Sequence, residues 1–204
     1  MKETNMTSPA LLISFVLDNS ASVTGERLGE LMRALRATDF GAAEVEIVTY
    51  GGLEPTVVKS FKEEGIAPVK AGGFPLLSRA ITVAKERLCA RAGELKDAGS
   101  EVYRPWLFLL TDGFALDAPE ETVAALERAE REGELMYLPF KLSGGAVCDR
   151  VQALDRSKHL IRINEGCIES FFAFVLHMIG QRAALPLDEG VKFSKSDFEG
   201  WATL

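Results

Sequence analysis

Four oxygen-bearing side chains in this sequence are spaced for chemistry. Asp18, Ser20 and Ser22 stand at i, i+2 and i+4 in the run LLISFVLDNSAS (Leu11 to Ser22), and Asp112 follows the apolar run PWLFLLT (Pro105 to Thr111). A carboxylate and two hydroxyls that leave a strand in a tight turn can converge on one point, and a carboxylate from another strand can stand opposite them. Hard divalent cations take oxygen ligands, and magnesium accepts a few protein oxygens while keeping several waters. The chemistry on offer is a shallow cation site with an open coordination position, able to recruit an acidic group from another molecule. Asp-x-Ser-x-Ser alone is a common turn and helix-cap pattern. Its weight here comes from the second apolar run that ends in Thr111-Asp112-Gly113.

Both acids close near-continuous apolar runs, the pattern of strands buried on both faces of a parallel sheet, whose C-terminal edge is the usual ligand-binding edge. Between them, Thr24 is placed to cap a helix from about Gly25 to Leu35, with Leu28, Leu31, Met32 and Leu35 at helical spacing. Glu44 to Tyr50 alternates as a strand does, and after the turn signal Gly51-Gly52 the run Thr56 to Phe61 predicts an antiparallel hairpin. The loop Ala71 to Pro75 (AGGFP) puts Pro75 at a first helical position, ahead of a long helix with Leu76, Leu77, Ala80, Ile81, Ala84 and Leu88 on its buried face.

Asp117 and Glu120 form a capping-box-like start, with Pro119 between them, to a helix reaching about Glu132. A fifth strand (Leu135 to Phe140), a short helix (Ala146 to Ser157), a sixth strand (His159 to Ile163) and a final helix (about Ile168 to Arg182) complete the alternation. The expected fold is α/β, a doubly wound, mostly parallel six-stranded sheet with helices on both faces and one antiparallel edge strand. Residues 1–9 read as an N-terminal extension, 10–182 as the domain and 183–204 as a tail. That tail is either disordered or docked by Val191, Phe193, Phe198 and Trp201.

At 204 residues and 47% hydrophobic, the chain can bury a substantial core. Its net charge of −7 disfavours phosphate backbones and anionic membranes, so neither nucleic acid nor a membrane is an expected partner. The N-terminus does not have the form of a signal peptide, and no stretch approaches the roughly 18 apolar residues of a membrane span, so a cytoplasmic protein is expected. Cys89, Cys148 and Cys167 form no CxxC pair and read as reduced, mostly buried thiols. His159 and His177 read as structural.

Taken in order, DNSAS (Asp18 to Ser22), AGGFP ahead of a helix, and LFLLTDG (Leu107 to Gly113) resemble the von Willebrand factor A domain and its metal-ion-dependent adhesion site. The resemblance covers roughly residues 10 to 180. VTYGG, the GG loop, and TDG followed by Asp117 are most similar to the bacterial TerY-type proteins encoded with tellurite-resistance and chemical-stress systems. What the resemblance implies is a metal site made of Asp18, Ser20, Ser22 and Asp112, with the serines as direct ligands and the aspartates binding directly or through water. Magnesium is the implied cation, with manganese or calcium as substitutes. The family's Thr position falls on Phe74, whose ring cannot coordinate a cation, so the site is a variant. Ser78 lies further on, inside the expected helix. Phe74 either packs into the core, the favoured expectation, or stands exposed at the rim as an aromatic anchor.

The implied function is non-enzymatic: an adaptor in a stress or tellurite-resistance system that docks another protein through an acidic or polar group at the metal site. Two alternatives stand beside it. One is a degenerate scaffold that binds without metal, which Phe74 supports. The other is a phosphatase of the haloacid-dehalogenase type, which needs a second Asp where Ser20 stands and a late acidic pair that the sequence lacks. A phospho-receiver domain also lacks its acidic pair, and no P-loop, HExxH or GxSxG is present.

Overall fold

Strands β1 (Leu12–Asp18) and β4 (Trp106–Thr111) lie side by side in the middle of the sheet, each buried along its whole length. The computed structural model describes residues 8–117, 120–142, 146–152 and 160–203. In chain order, β1 is followed by α1 (Gly25–Ala37), β2 (Glu44–Tyr50), β3 (Thr56–Lys59) and α2 (Leu77–Asp97). After β4 come α3 (Glu120–Arg131), β5 (Met136–Lys141), β6 (Ile161–Ile163), α4 (Ile168–Ala184) and β7 (Ala202–Thr203).

The sheet runs β3-β2-β1-β4-β5-β6-β7. Strands β2, β1, β4, β5 and β6 are mutually parallel, and β3 and β7 pair antiparallel at the two edges. The chain winds outward from β1 to β3, then returns to place β4 on the other side of β1. A crevice opens at such a reversal of strand order, outside the carboxyl ends of the strands. Asp18 and Asp112 both fall there.

Alternation along the strands divides the core in two. Ile13, Phe15, Leu17, Phe108 and Phe140 face α1 and α4, while Leu12, Val16, Leu107, Leu109 and Tyr137 face α2 and α3. The first layer is aromatic: Phe15 stacks on Phe108 at 5.3 Å, and Phe171 of α4 meets Phe140 edge-on at 4.8 Å. Each such ring contributes about 1.5–3 kcal/mol of burial, so α4 is held by side-chain area rather than by caps. Thr24 caps α1 as expected, its hydroxyl accepting from the Arg27 N–H at 3.3 Å.

The six expected strands are present, and the tail supplies a seventh. Phe198 and Trp201 are buried against Phe174 of α4, and β7 extends the sheet from β6. Arg182 secures the turn before them: its buried guanidinium lies 4.3 Å from the Tyr103 ring centroid and donates to the carbonyls of Leu185, Pro186 and Glu189. The strand expected over Thr56 to Phe61 ends at Lys59. The helix expected over Ala146 to Ser157 is not present over 146–151, where 149–151 form a turn; its residues 153–157, together with His159 and Pro119, lie outside the described residues.

Candidate functional site

β1 ends by burying its carboxylate. Asp18 Oδ1 accepts the Ser20 N–H at 2.9 Å, the turn that short acidic side chains favour. Its Oδ2 faces the Asp112 N–H at 3.4 Å, which ties β1 to the residue after β4. Ser20 Oγ and Ser22 Oγ are 2.9 Å apart, with Ser20 buried and Ser22 exposed, so the hydroxyl pair leads from the interior to the surface. Asp112, half-buried, repeats the turn of Asp18: its Oδ1 accepts the Phe114 N–H at 2.9 Å. The four residues singled out by spacing are thus brought to one edge from two adjacent strands.

The electrostatics of this edge are set by a buried acid beside a second one. Asp18 has its pKa raised from 3.8 to about 7, first by burial and then by the charge of Asp112, against the opposing hydrogen bonds from Ser20. Sheet register adds neighbours that spacing along the sequence did not reveal. Asp18 pairs with Tyr50, and Thr111 pairs with Lys141, so Tyr50, Asp18, Thr111 and Lys141 form one buried rung across four strands. The Tyr50 hydroxyl is buried and without a hydrogen bond of ordinary geometry, and it faces Asp18 and Thr111. Its pKa is pushed up by burial first and by the Asp18 charge second. The Lys141 ammonium, beside Gly113, is pushed down by burial and by Arg162, with Asp112 acting in the opposite sense. The signal for this rung was the two-residue period: Val48, Val16 and Leu109 each sit two positions before a rung member on the same face.

Three loops interlock beside the rung. The Gly72 N–H donates to the Asn19 carbonyl at 2.8 Å, the Ala21 N–H donates to the Gly73 carbonyl at 3.3 Å, and Asn19 Nδ2 donates to the Lys70 carbonyl at 2.8 Å. Gly73 has φ +76°, and a Cβ there would overlap the Gly51 carbonyl oxygen. A Cβ on Gly51 would come within 2.5 Å of the Asn19 carbonyl. The expectation that Phe74 packs into the core is overturned: Phe74 is 58% exposed and Pro75 is buried instead.

Asp117 has a role that spacing along the sequence did not reveal. Its carboxylate caps α2, accepting the N–H groups of Leu77 (2.9 Å), Ser78 (2.8 Å) and Arg79 (3.4 Å). Leu76, at the capping position, has no side chain able to accept, so the cap comes from 40 residues away.

Among the described residues no group of three or more His, Cys, Asp or Glu side chains comes together. A cation at this edge would therefore rely on two carboxylates, hydroxyls and water, a donor set that fits a hard ion. The cysteines do not enter the site, and Cys89 is exposed, which corrects the expectation of mostly buried thiols. His177 is exposed on α4 and shares a hydrogen bond with Gln181 at 2.8 Å.

A carboxylate-bearing turn lies at the reversal point of a mostly parallel, helix-covered α/β sheet, and solved structures share this doubly wound fold. The crystal structure of the manganese-loaded Plasmodium vivax TRAP protein matches with a TM-score of 0.51 at 11% identity, over 74% of this chain and 64% of that one. This chain thus spans just under two thirds of the TRAP chain. The N-terminal domain of TFIIH p34 matches with a TM-score of 0.55 at 9% identity, over 84% of this chain and 99% of that one. At these identities the likeness is one of fold. No protein-family model and no curated protein sequence matches the chain. Among the described residues, no helix is long and apolar enough to cross a membrane.

Proposed function

We propose that this protein is an interaction module that docks a partner protein at a divalent-cation site on the C-terminal edge of its sheet. The observation that carries the reading is the buried Asp18 carboxylate, held beside Asp112 and leading outward through Ser20 and Ser22. Burying a charge costs several kcal/mol unless it is paired, and a cation bound at this edge would add to that pairing. Asp18, Ser20, Ser22 and Asp112 would hold the ion, with magnesium the cation that the oxygen donors favour and manganese or calcium as substitutes. Such an ion supplies charge that offsets the carboxylate pair, and an exchangeable position for an anionic oxygen of the partner. The TRAP protein, a neighbour in fold, was crystallised manganese-loaded, which supports testing that ion as well.

The TerY-like features of the sequence support a narrower reading: a cytoplasmic adaptor in a bacterial chemical-stress or tellurite-resistance system, whose output is binding rather than catalysis. Phe74 at the family's Thr position favours the competing view of a scaffold that binds without metal. Thermal melting with added magnesium or manganese decides between them. The wild type is expected to melt higher with either ion and Asp18→Ala to be unaffected; no shift in the wild type would overturn the cation site. Turnover of a generic phosphoester that Asp18→Ala abolishes would replace the docking reading with a phosphatase.

A further inference from the structure

We propose that Lys141 is a resident positive charge of the cation edge, an ammonium that opposes a divalent ion at Asp18 and Asp112 and so holds down the affinity of the site. This rests on the cation site proposed above and names the residue that sets its strength.

Strand register puts the charge there. Lys141 closes β5 and pairs with Thr111, the last residue of β4, while Arg162 of β6 pairs with Lys141 from the other side. The rung that begins with Tyr50 and Asp18 therefore continues through Thr111 and Lys141 to Arg162, with the acid on one side of Thr111 and the cations on the other. Neighbouring strands lie about 4.8 Å apart, so the Asp18 and Lys141 backbones are separated by about 10 Å. Their side chains leave the same face, the one that Val16 and Tyr137 share. Lys141 is only 3% exposed, so water and salt screen its charge poorly.

A residue without a side chain makes room for it. A Cβ on Gly113 would stand 2.9 Å from the Lys141 Cε, so the lysine stem lies directly against the residue that follows Asp112. The Leu142 N–H donates to the Thr111 carbonyl at 2.7 Å, which holds β5 in register up to this point, and Lys141 Nζ reaches the Leu142 carbonyl at 3.4 Å. Among the described residues, Arg162 and Arg27 oppose the ammonium and Asp112 favours it.

Lysine is rarely buried. At this position its charge offsets part of the Asp18 and Asp112 pair in the metal-free chain, and a divalent ion entering the same crevice meets a like charge. Ion affinity is thereby exchanged for an edge that is partly neutralised without metal.

Calorimetric titration of magnesium into the full chain tests this. Lys141→Met removes the charge and keeps an apolar stem, Lys141→Gln removes the charge and keeps a donor, and Lys141→Arg keeps the charge. Melting temperature verifies which variants are folded, and either neutral variant suffices. The neutral variants are expected to bind magnesium about tenfold or more tightly than the wild type, with Lys141→Arg within about twofold of it. A lysine that served packing alone would leave the affinity unchanged or lower it on removal. Neutral variants that bind no more tightly than a wild type that does bind therefore overturn the proposal and leave the cation site standing. A gain from Lys141→Arg as large as that from Lys141→Met also overturns it, because charge would not be the cause. Asp112→Asn added to a neutral variant is expected to abolish the gain; a gain that persists places the ion elsewhere and overturns the proposal. Magnesium bound by the neutral variants alone supports it, and magnesium bound by none of these chains overturns the cation site and the role of Lys141 with it.

Discussion

Asp18 is where a single residue controls the behaviour of the molecule with pH. Its folded-state pKa of about 7 lies above its ordinary 3.8, so the folded chain holds a proton that the unfolded chain releases. The stability tied to this proton is fully present below about pH 4 and is lost as pH rises through the folded value, an effect on the order of a few kcal/mol. Metal-free protein is therefore expected to melt at lower temperature as pH is raised from roughly 5 to 8. Magnesium should flatten that slope, because the ion binds the deprotonated carboxylate and stabilises by mass action. Asp18→Asn keeps an oxygen for the Ser20 N–H and removes the charge. Its melting curve should be less dependent on pH and insensitive to magnesium. A slope as steep as that of the wild type would locate the titration elsewhere.

The elements around the site are fixed by backbone, and two substitutions of like size separate fit from propensity. Gly73→Ala places a Cβ against the Gly51 carbonyl at a positive φ and should cost about 1–3 kcal/mol or more in urea denaturation. Gly29→Ala, inside α1 with only the Arg33 side chain nearby at 3.8 Å, should instead stabilise by about 0.5–1 kcal/mol. Asp117→Ala removes three acceptor contacts from the start of α2 and should cost about 1–2 kcal/mol. Because the same helix start follows the Phe74 loop, that variant should also raise hydrogen exchange at Gly72 and Gly73, a readout that a cap of α3 alone would not move.

At the scale of the whole molecule, the tail is part of the sheet. Trp201 packs on Phe140, Phe171, Phe174 and Phe198, its indole N–H donates to the Asp197 carbonyl at 2.8 Å, and its carbonyl accepts the Asn164 N–H at 2.9 Å. Trp201→Ala should cost about 3–5 kcal/mol, measured by denaturation, although the residue is remote from the cation edge. Magnesium affinity should be unchanged in the folded fraction, which separates a core defect from a site defect.

The local patterns were legible from the chain because they depend on neighbours in sequence. Apolar runs long enough to be buried on both faces, helical spacing of Leu28, Leu31, Met32 and Leu35, and an acid closing each central strand suffice to determine an α/β sheet with Asp18, Ser20, Ser22 and Asp112 at its edge. What only the tertiary structure decided were the relations across long separations. Tyr50 and Lys141 join the site through strand register, Asp117 serves a helix 40 residues upstream, and the tail becomes a strand because Phe174 and Phe140 await its aromatics. Phe74 is the sharpest case. Its type argued for burial, yet it stands 58% exposed on a loop whose neighbouring glycine, Gly73, lies against the Gly51 backbone. A side chain's own chemistry sets what it can do, but the space its neighbours leave, set by contacts far apart in the chain, decides which way it points.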